Sequence, residues 1–140
     1  MSAAGEHCPL VGTWRLVAWT SPLDGDTPTA GFPEWERAQG QLIYTEQGTM
    51  SVQTSTPERS RFGDEAVYGG TPEEKATAYD DFRACCGTYD FTGERVVHHV
   101  DQSVVPDDIG SDQTLLVRLD DSILVLTDEP RSRSATWERI

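Results

Sequence analysis

The sequence predicts an all-β protein: an eight-stranded antiparallel up-and-down β-barrel with one helix between the third and fourth strands. Eight short segments rich in β-branched and aromatic residues follow one another along the chain. Most are joined by turns too short for parallel pairing, which needs crossovers of about a dozen residues. An antiparallel meander of this size hides its edges most economically by closing on itself.

The strands are expected at residues 11–20, 41–45, 49–54, 88–91, 95–103, 113–120, 122–127 and 134–140. Most have glycine, proline or acidic turn residues at or near their ends. Between the second and third, residues 46–48 form a hairpin turn in which Gly48 is suited to a positive φ.

One helix is predicted after Thr71, which can accept the backbone N–H of Glu74 while the Glu74 side chain reaches back, a capping box. Pro72 suits the first helical position, where its missing N–H costs nothing. We expect this helix to run to residue 85 or 86 and to stop at Gly87. It would pack through one stripe of side chains: Ala78, Tyr79, Phe82 and Cys86.

The length of 140 residues is that of one domain with one core or one small cavity. Residues 1–9 are expected to form a flexible tail and residues 10–140 the barrel. The tail has neither the basic start nor the apolar stretch of a secretion signal. The three cysteines are an odd number without metal-ligand spacing. These features favour a reducing, cytoplasmic location.

The net charge of −13, from 24 acidic and 11 basic residues, excludes nucleic acid and anionic membrane surfaces as favoured partners. No segment approaches the roughly 18 consecutive apolar residues of a membrane span. The expected partner is a hydrophobic small molecule held in the barrel interior, and the oligomeric state is left open.

Alternation along the strands places every second side chain inside the barrel. His98 is assigned to the interior because the opposite choice would turn Asp101 inward. An eight-stranded barrel is either filled by side chains or holds one small ligand, and an apolar interior with a few polar groups is typical of a ligand pocket. The predicted substrate-binding residues are Leu16, Ala18, Trp35, Leu42, Met50, Val52, Gln53, Phe91, Val100, Val117, Leu119 and Trp137.

Three polar interior residues, Tyr44, Tyr89 and His98, are the candidate catalytic groups. Each has a structural alternative, since tyrosines that line a barrel often serve packing and a buried histidine is often structural. No metal site is expected, because His98 and the adjacent His99 point to opposite faces. The pair Cys85-Cys86 is interpreted as packing thiols. No hydrolase, P-loop or dinucleotide-binding motif is present.

Six segments carry a resemblance to the lipocalin-like domain family, a group of small bacterial and fungal barrels: GTWRLVAW, GQLIYTEQGTMSVQ, TPEEKATAYDDF, GTYDF, VVHHV and the terminal WERI. They span residues 10 to 140 in the family's order. The resemblance implies that Trp14 plugs one barrel end and that Arg139 stacks on it.

Two departures from the family pattern bear on the interior. Cys85-Cys86 stand where members often carry a tyrosine. Leu115 and Leu116 stand where members often carry an arginine. If those groups serve a shared polar site, that site is altered in this chain.

The resemblance also makes a cofactor-independent cyclase or isomerase credible, one that folds a polyketide-type intermediate in secondary metabolism, and this is the favoured hypothesis. Holding a polyene in a reactive conformer removes much of the barrier, and one hydrogen bond to a conjugated carbonyl adds polarisation. No cofactor is expected. The alternative is a non-catalytic protein that binds a hydrophobic ligand. A third possibility is a structural barrel with a filled interior, which would take up no fluorescent hydrophobe.

Overall fold

The computed structural model describes residues 8–20, 37–63, 69–128 and 133–140. Eight antiparallel strands form a closed barrel in chain order, with the last strand paired to the first. The predicted fold class is therefore confirmed. The strands are β1 (Gly12–Thr20), β2 (Gln39–Tyr44), β3 (Thr49–Ser55), β4 (Phe82–Phe91), β5 (Arg95–Ser103), β6 (Asp112–Asp120), β7 (Ile123–Asp128) and β8 (Ser134–Arg139).

The two ends of the barrel differ in how the strands are connected. The turns 45–48, 92–94 and 121–122 lie at one end, together with residues 8–11, and we name it the closed end. The connections that carry the helix α1 (Pro72–Asp80) and a 3-10 turn (Pro106–Asp108) lie at the opposite end, which we name the mouth end. Gly48 has φ 93° in the first of the short turns, as predicted.

The closed end is sealed by Trp14, which is 0% exposed and donates its indole N–H to the carbonyl of Leu10 at 2.9 Å. The guanidinium of Arg139 lies over this indole, 4.2 Å from the ring centroid. Its two terminal nitrogens donate to the carbonyls of Val11 and Pro9, each at 2.8 Å. These contacts confirm the stacked tryptophan and arginine that the sequence resemblance implied.

Gly12 provides the space for this seal. Its φ is 143°, a conformation that other residues rarely adopt. A Cβ atom at this position would lie 2.6 Å from Nη1 of Arg139. The bonds to Arg139 also tie Pro9 to the barrel, and Cys8 packs against the core, although both were expected in the flexible tail. Residues 1–7 lie outside the described part, so the tail remains a prediction.

The predicted start of the helix is confirmed, and its predicted end is wrong. The Thr71 hydroxyl accepts from the Glu74 N–H at 3.1 Å, and a Glu74 carboxylate oxygen accepts from the Thr71 N–H at 2.8 Å. The helix ends at Asp80 because residues 82–86 pair with β3 as the first half of β4. The ladder provides hydrogen bonds and burial that the helix lacks, since α1 has no buried residue.

No helix within the described ranges is long and apolar enough to cross a membrane.

Candidate functional site

Most of the predicted lining residues are on the inner face of the barrel. Alternation along the paired strands sets this placement. Five of them are buried: Leu16, Leu42, Met50, Val100 and Trp137. Four others are partly buried and pack against the core: Val52, Phe91, Val117 and Leu119.

Ala18 does not point inward, which corrects the lining prediction. The pairing of β1 with β8 is irregular at Val17, so Ala18 pairs with Thr136 on the outer face. Trp19 instead pairs with the buried Ala135 and packs against the core. A bulge of one residue exchanges the faces of all later side chains, and the hydrophobic run VAW contains no polar residue that would have revealed it.

Gln53 is also on the outer face, a second correction. Its side chain is exposed and donates to the hydroxyl of Ser51 at 2.9 Å. Adjacent strand residues point to opposite faces, so Gln53 cannot line the interior beside Val52. It borders a surface groove that Gln39, Gln41 and Ser55 also line. Trp35, the remaining predicted contact, lies outside the described residues.

The three candidate catalytic side chains are brought together near the closed end. The Tyr44 hydroxyl and Nε2 of His98 are 2.6 Å apart in a buried hydrogen bond. The Tyr44 and Tyr89 rings meet edge to face with centroids 4.7 Å apart. Tyr89 donates its hydroxyl to the backbone carbonyl of Thr45 at 2.9 Å. Tyr89 therefore positions the Tyr44 ring, while its own hydroxyl is committed to the chain.

Burial keeps this cluster uncharged at neutral pH. It lowers the pKa of His98 to about 4, with a smaller contribution from neighbouring His99. Burial also raises the pKa of Tyr44 well above its usual value of 10, and it does the same for Tyr89. Tyr44 and His98 therefore interact as a neutral phenol and a neutral imidazole.

A neutral Tyr44–His98 pair always retains one uncommitted donor. When Tyr44 donates to Nε2, the imidazole proton is on Nδ1; when Nε2 donates, the Tyr44 O–H is free. Tyr44 is the hydrogen-bond partner of His98 in the described part of the chain, and no described group bonds to Nδ1. Either tautomer therefore leaves one N–H or O–H of the pair without a partner among the described residues.

The inner face is not buried uniformly. The side chains next to the seal, including Trp14, Tyr44 and Leu124, are at most 1% exposed. Trp19, Val52, Cys85 and Leu115 also pack against the core, yet they are only partly buried. Burial of the inner face is therefore uneven: it is complete for the first set and partial for these four residues.

One polar interior residue was missed by the sequence interpretation. Gln113 pairs directly with His98 between β5 and β6, and it shares the inward face with Leu115. Its side chain is half-buried, and no hydrogen bond to it is found among the described residues. The sequence did carry a signal for this placement. Gln113 is two residues before Leu115 on the same strand, so alternation places both side chains on one face.

His99 is on the outside, as the assignment of His98 to the interior requires. Its ring bridges two carboxylates, with Nδ1 2.7 Å from Asp112 and Nε2 2.8 Å from Asp90. The hydrogen bond to Asp112, followed by that to Asp90, raises the pKa of His99. Both nitrogens are occupied, and the described residues contain no cluster that could hold a metal ion.

Comparison with known proteins identifies the family. The model of the lipocalin-like domain matches residues 11–140. No curated protein matches the chain.

Solved structures with similar folds are distant. A variant of the fluorescent protein UnaG is 15% identical, with coverage of 99% of this chain and 98% of that chain and a TM-score of 0.44. The REP1-NXSQ fatty acid transporter is 16% identical, with coverage of 94% and 96% and a TM-score of 0.44. The secretory abundant heat soluble protein 4 of Ramazzottius varieornatus is 14% identical, with coverage of 94% and 95% and a TM-score of 0.43. The family match spans nearly the whole chain, and the protein belongs to the lipocalin-like domain family.

Proposed function

We propose that the barrel binds one hydrophobic small molecule that carries a hydrogen-bond acceptor, such as a conjugated carbonyl. The buried hydrogen bond between Tyr44 and His98 carries the proposal, because it leaves one donor available within an apolar interior. The partly exposed inner faces of β3, β4 and β6 supply the apolar surface. Burial of that surface would contribute about 25 cal/mol per Å² to binding.

A neutral ligand is favoured over an anionic one. Neither Tyr44 nor His98 is charged at neutral pH, and the family's frequent arginine is replaced by Leu115 and Leu116. A carboxylate placed beside these groups would lose its hydration without gaining a counter-charge. The net charge of −13 further disfavours anions.

The same geometry supports catalysis of a cyclisation or isomerisation. An electrocyclisation rearranges electrons within one molecule, so it consumes no co-reactant. The barrel would hold a flexible polyene in a folded conformer, and the free donor of the Tyr44–His98 pair would polarise its carbonyl. Tyr89 contributes indirectly, since its ring contacts Tyr44 while its hydroxyl is bonded to Thr45.

Incubation with a linear conjugated trienone separates binding from catalysis. A cyclase converts the trienone into a product of equal mass that chromatography and mass spectrometry resolve, at a rate above that without protein. The His98→Ala protein should remain folded and lose this rate, and Tyr89→Phe should reduce it. Recovery of unchanged trienone from a bound complex would leave the protein as a binding module. Equal rates in wild type and both variants would exclude these residues from the mechanism. The cytoplasmic location remains a prediction.

A further inference from the structure

The indole N–H of Trp137 is buried without a hydrogen-bond partner. The residue is 3% exposed, and its Nε1 is the one buried side-chain nitrogen or oxygen without a partner among the described residues. Trp14 provides the contrast, since its equally buried N–H donates to the carbonyl of Leu10 at 2.9 Å. Buried donors in folded proteins are nearly always paired, so an orphan needs a specific explanation.

The strands around Trp137 explain why the described residues next to it offer no acceptor. It is on the inner face of β8, two residues before the strand ends at Arg139. Its cross-strand neighbours are Leu16 on β1 and Leu124 on β7, both buried and apolar. Both neighbours lack a polar side-chain atom that could accept from this N–H. None of the described residues supplies an acceptor to this N–H.

We propose that the Trp137 N–H is a ligand-binding donor, and that the natural ligand carries an acceptor oxygen, such as that of a ketone, ester or lactone, on the end that enters the barrel first. Trp137 lies in the closed half, beside the layer of Trp14 and Arg139. A molecule that enters through the mouth presents its leading end there. This inference rests on the proposed binding function and adds an orientation and a second polar contact to it.

The expected effect is selectivity between otherwise matched ligands. A ligand oxygen that reaches Nε1 pairs a donor that is already desolvated, so the gain is not offset by loss of water from the protein. A ligand without that oxygen leaves the N–H unpaired. We expect about tenfold tighter binding of the oxygen-bearing ligand, which corresponds to one ordinary hydrogen bond.

Two neutral fluorophores provide the test: 6-propionyl-2-(dimethylamino)naphthalene, which carries a ketone, and 2-(dimethylamino)naphthalene, which lacks it. Their affinities are measured by fluorescence titration against wild type, Trp137→Phe and Trp14→Phe. Phenylalanine keeps an aromatic ring and removes only the N–H donor with part of the volume. Trp14→Phe is the matched control, because its N–H is already committed to Leu10. The preference for the ketone should be reduced severalfold in Trp137→Phe and remain unchanged in Trp14→Phe.

A second measurement requires no variant to fold. In the ¹H–¹⁵N spectrum of wild type, the indole resonance of Trp137, assigned through its contacts with Leu16 and Leu124, should move on addition of the ketone fluorophore and not of its analogue. The Trp14 resonance should stay in place. An unmoved Trp137 resonance, or an equal ketone preference in Trp137→Phe and wild type, overturns the inference and leaves the binding function standing. Failure of wild type to take up either fluorophore overturns both.

Discussion

The burial of His98 has a measurable consequence for stability as the pH falls. Replacement of His98 by glutamine keeps a polar side chain inside the barrel and removes the only ionisable group of the Tyr44–His98 pair that titrates in mildly acidic solution. Burial holds the pKa of His98 at about 4 in the folded protein, against 6.5 in the unfolded chain. We therefore expect His98→Gln to lose less stability than wild type on acidification.

The sign follows from which state binds the proton first. The folded pKa is below the unfolded one, so the unfolded chain is protonated first as the pH falls. The stability that neutral His98 contributes is complete above pH 6.5 and is lost as the pH falls toward 4. Each pKa unit of difference between the folded and unfolded states corresponds to about 1.36 kcal/mol. The contribution of His98 to the free energy of unfolding should therefore fall by about 2 kcal/mol between pH 7.5 and pH 5.0.

The assay is urea unfolding monitored by tryptophan fluorescence at both pH values. Carboxylates titrate in both proteins alike. The difference between wild type and His98→Gln in the stability lost on acidification therefore reports on His98 alone. His99→Gln is the matched control, because Asp112 and Asp90 raise the pKa of exposed His99. Protonation of His99 stabilises the folded protein; this contribution is complete below pH 6.5 and is lost as the pH rises through the folded pKa. His99→Gln removes the contribution, so this variant should lose more stability than wild type between pH 7.5 and pH 5.0.

Equal losses in wild type and His98→Gln would refute the reasoning, because they would mean that His98 titrates in the folded protein as it does in the unfolded chain. A smaller acid loss in His99→Gln would show that the two neighbouring histidines have exchanged faces.

Three further predictions test separate contacts. Gly12→Ala should destabilise the protein by about 1–2 kcal/mol more than Gly48→Ala in urea unfolding. Both glycines have a positive φ, but only a Cβ at residue 12 would displace Arg139. The difference between the two variants should vanish in an Arg139→Ala background. Tyr44→Phe should cost about 1–3 kcal/mol of stability, measured the same way, because it leaves buried His98 without its partner. Burial raises the pKa of the Cys85 thiol to about 11, so Cys85 should react with a disulfide reagent at pH 8 more slowly than Cys86. Comparison of the Cys85→Ser and Cys86→Ser proteins measures the two rates separately. Equal rates would contradict the burial of Cys85.

The strands could be predicted well because their signals are local. Alternating hydrophobic residues and turn-forming residues determined most bounds to within one or two residues, and β5 has the predicted bounds Arg95–Ser103. The capping box of the helix is equally local, since Thr71 and Glu74 are three residues apart. The closed order of strands followed from these lengths and short turns.

The remaining features depend on pairing between distant segments. Phe82 and Cys86 fit a helical stripe in the sequence, but their partners on β3 draw them into a strand. Ala18 was assigned by regular alternation, and the irregular pairing of β1 with β8 overrides it. The Tyr44–His98 bond joins residues 54 positions apart, so the sequence could place both inside the barrel without showing that they touch.

The central claim is that the barrel, sealed at one end by Trp14 and Arg139, admits one hydrophobic molecule to its interior. A fluorescence titration with the ketone fluorophore on wild type, Val52→Trp and Gln53→Trp tests it most directly, with circular dichroism to verify that each protein is folded. Val52 faces the interior and Gln53 the outside. We expect one saturable site per chain in wild type and in Gln53→Trp, and none in Val52→Trp. The absence of saturable binding to wild type, or a block by Gln53→Trp alone, would contradict the account.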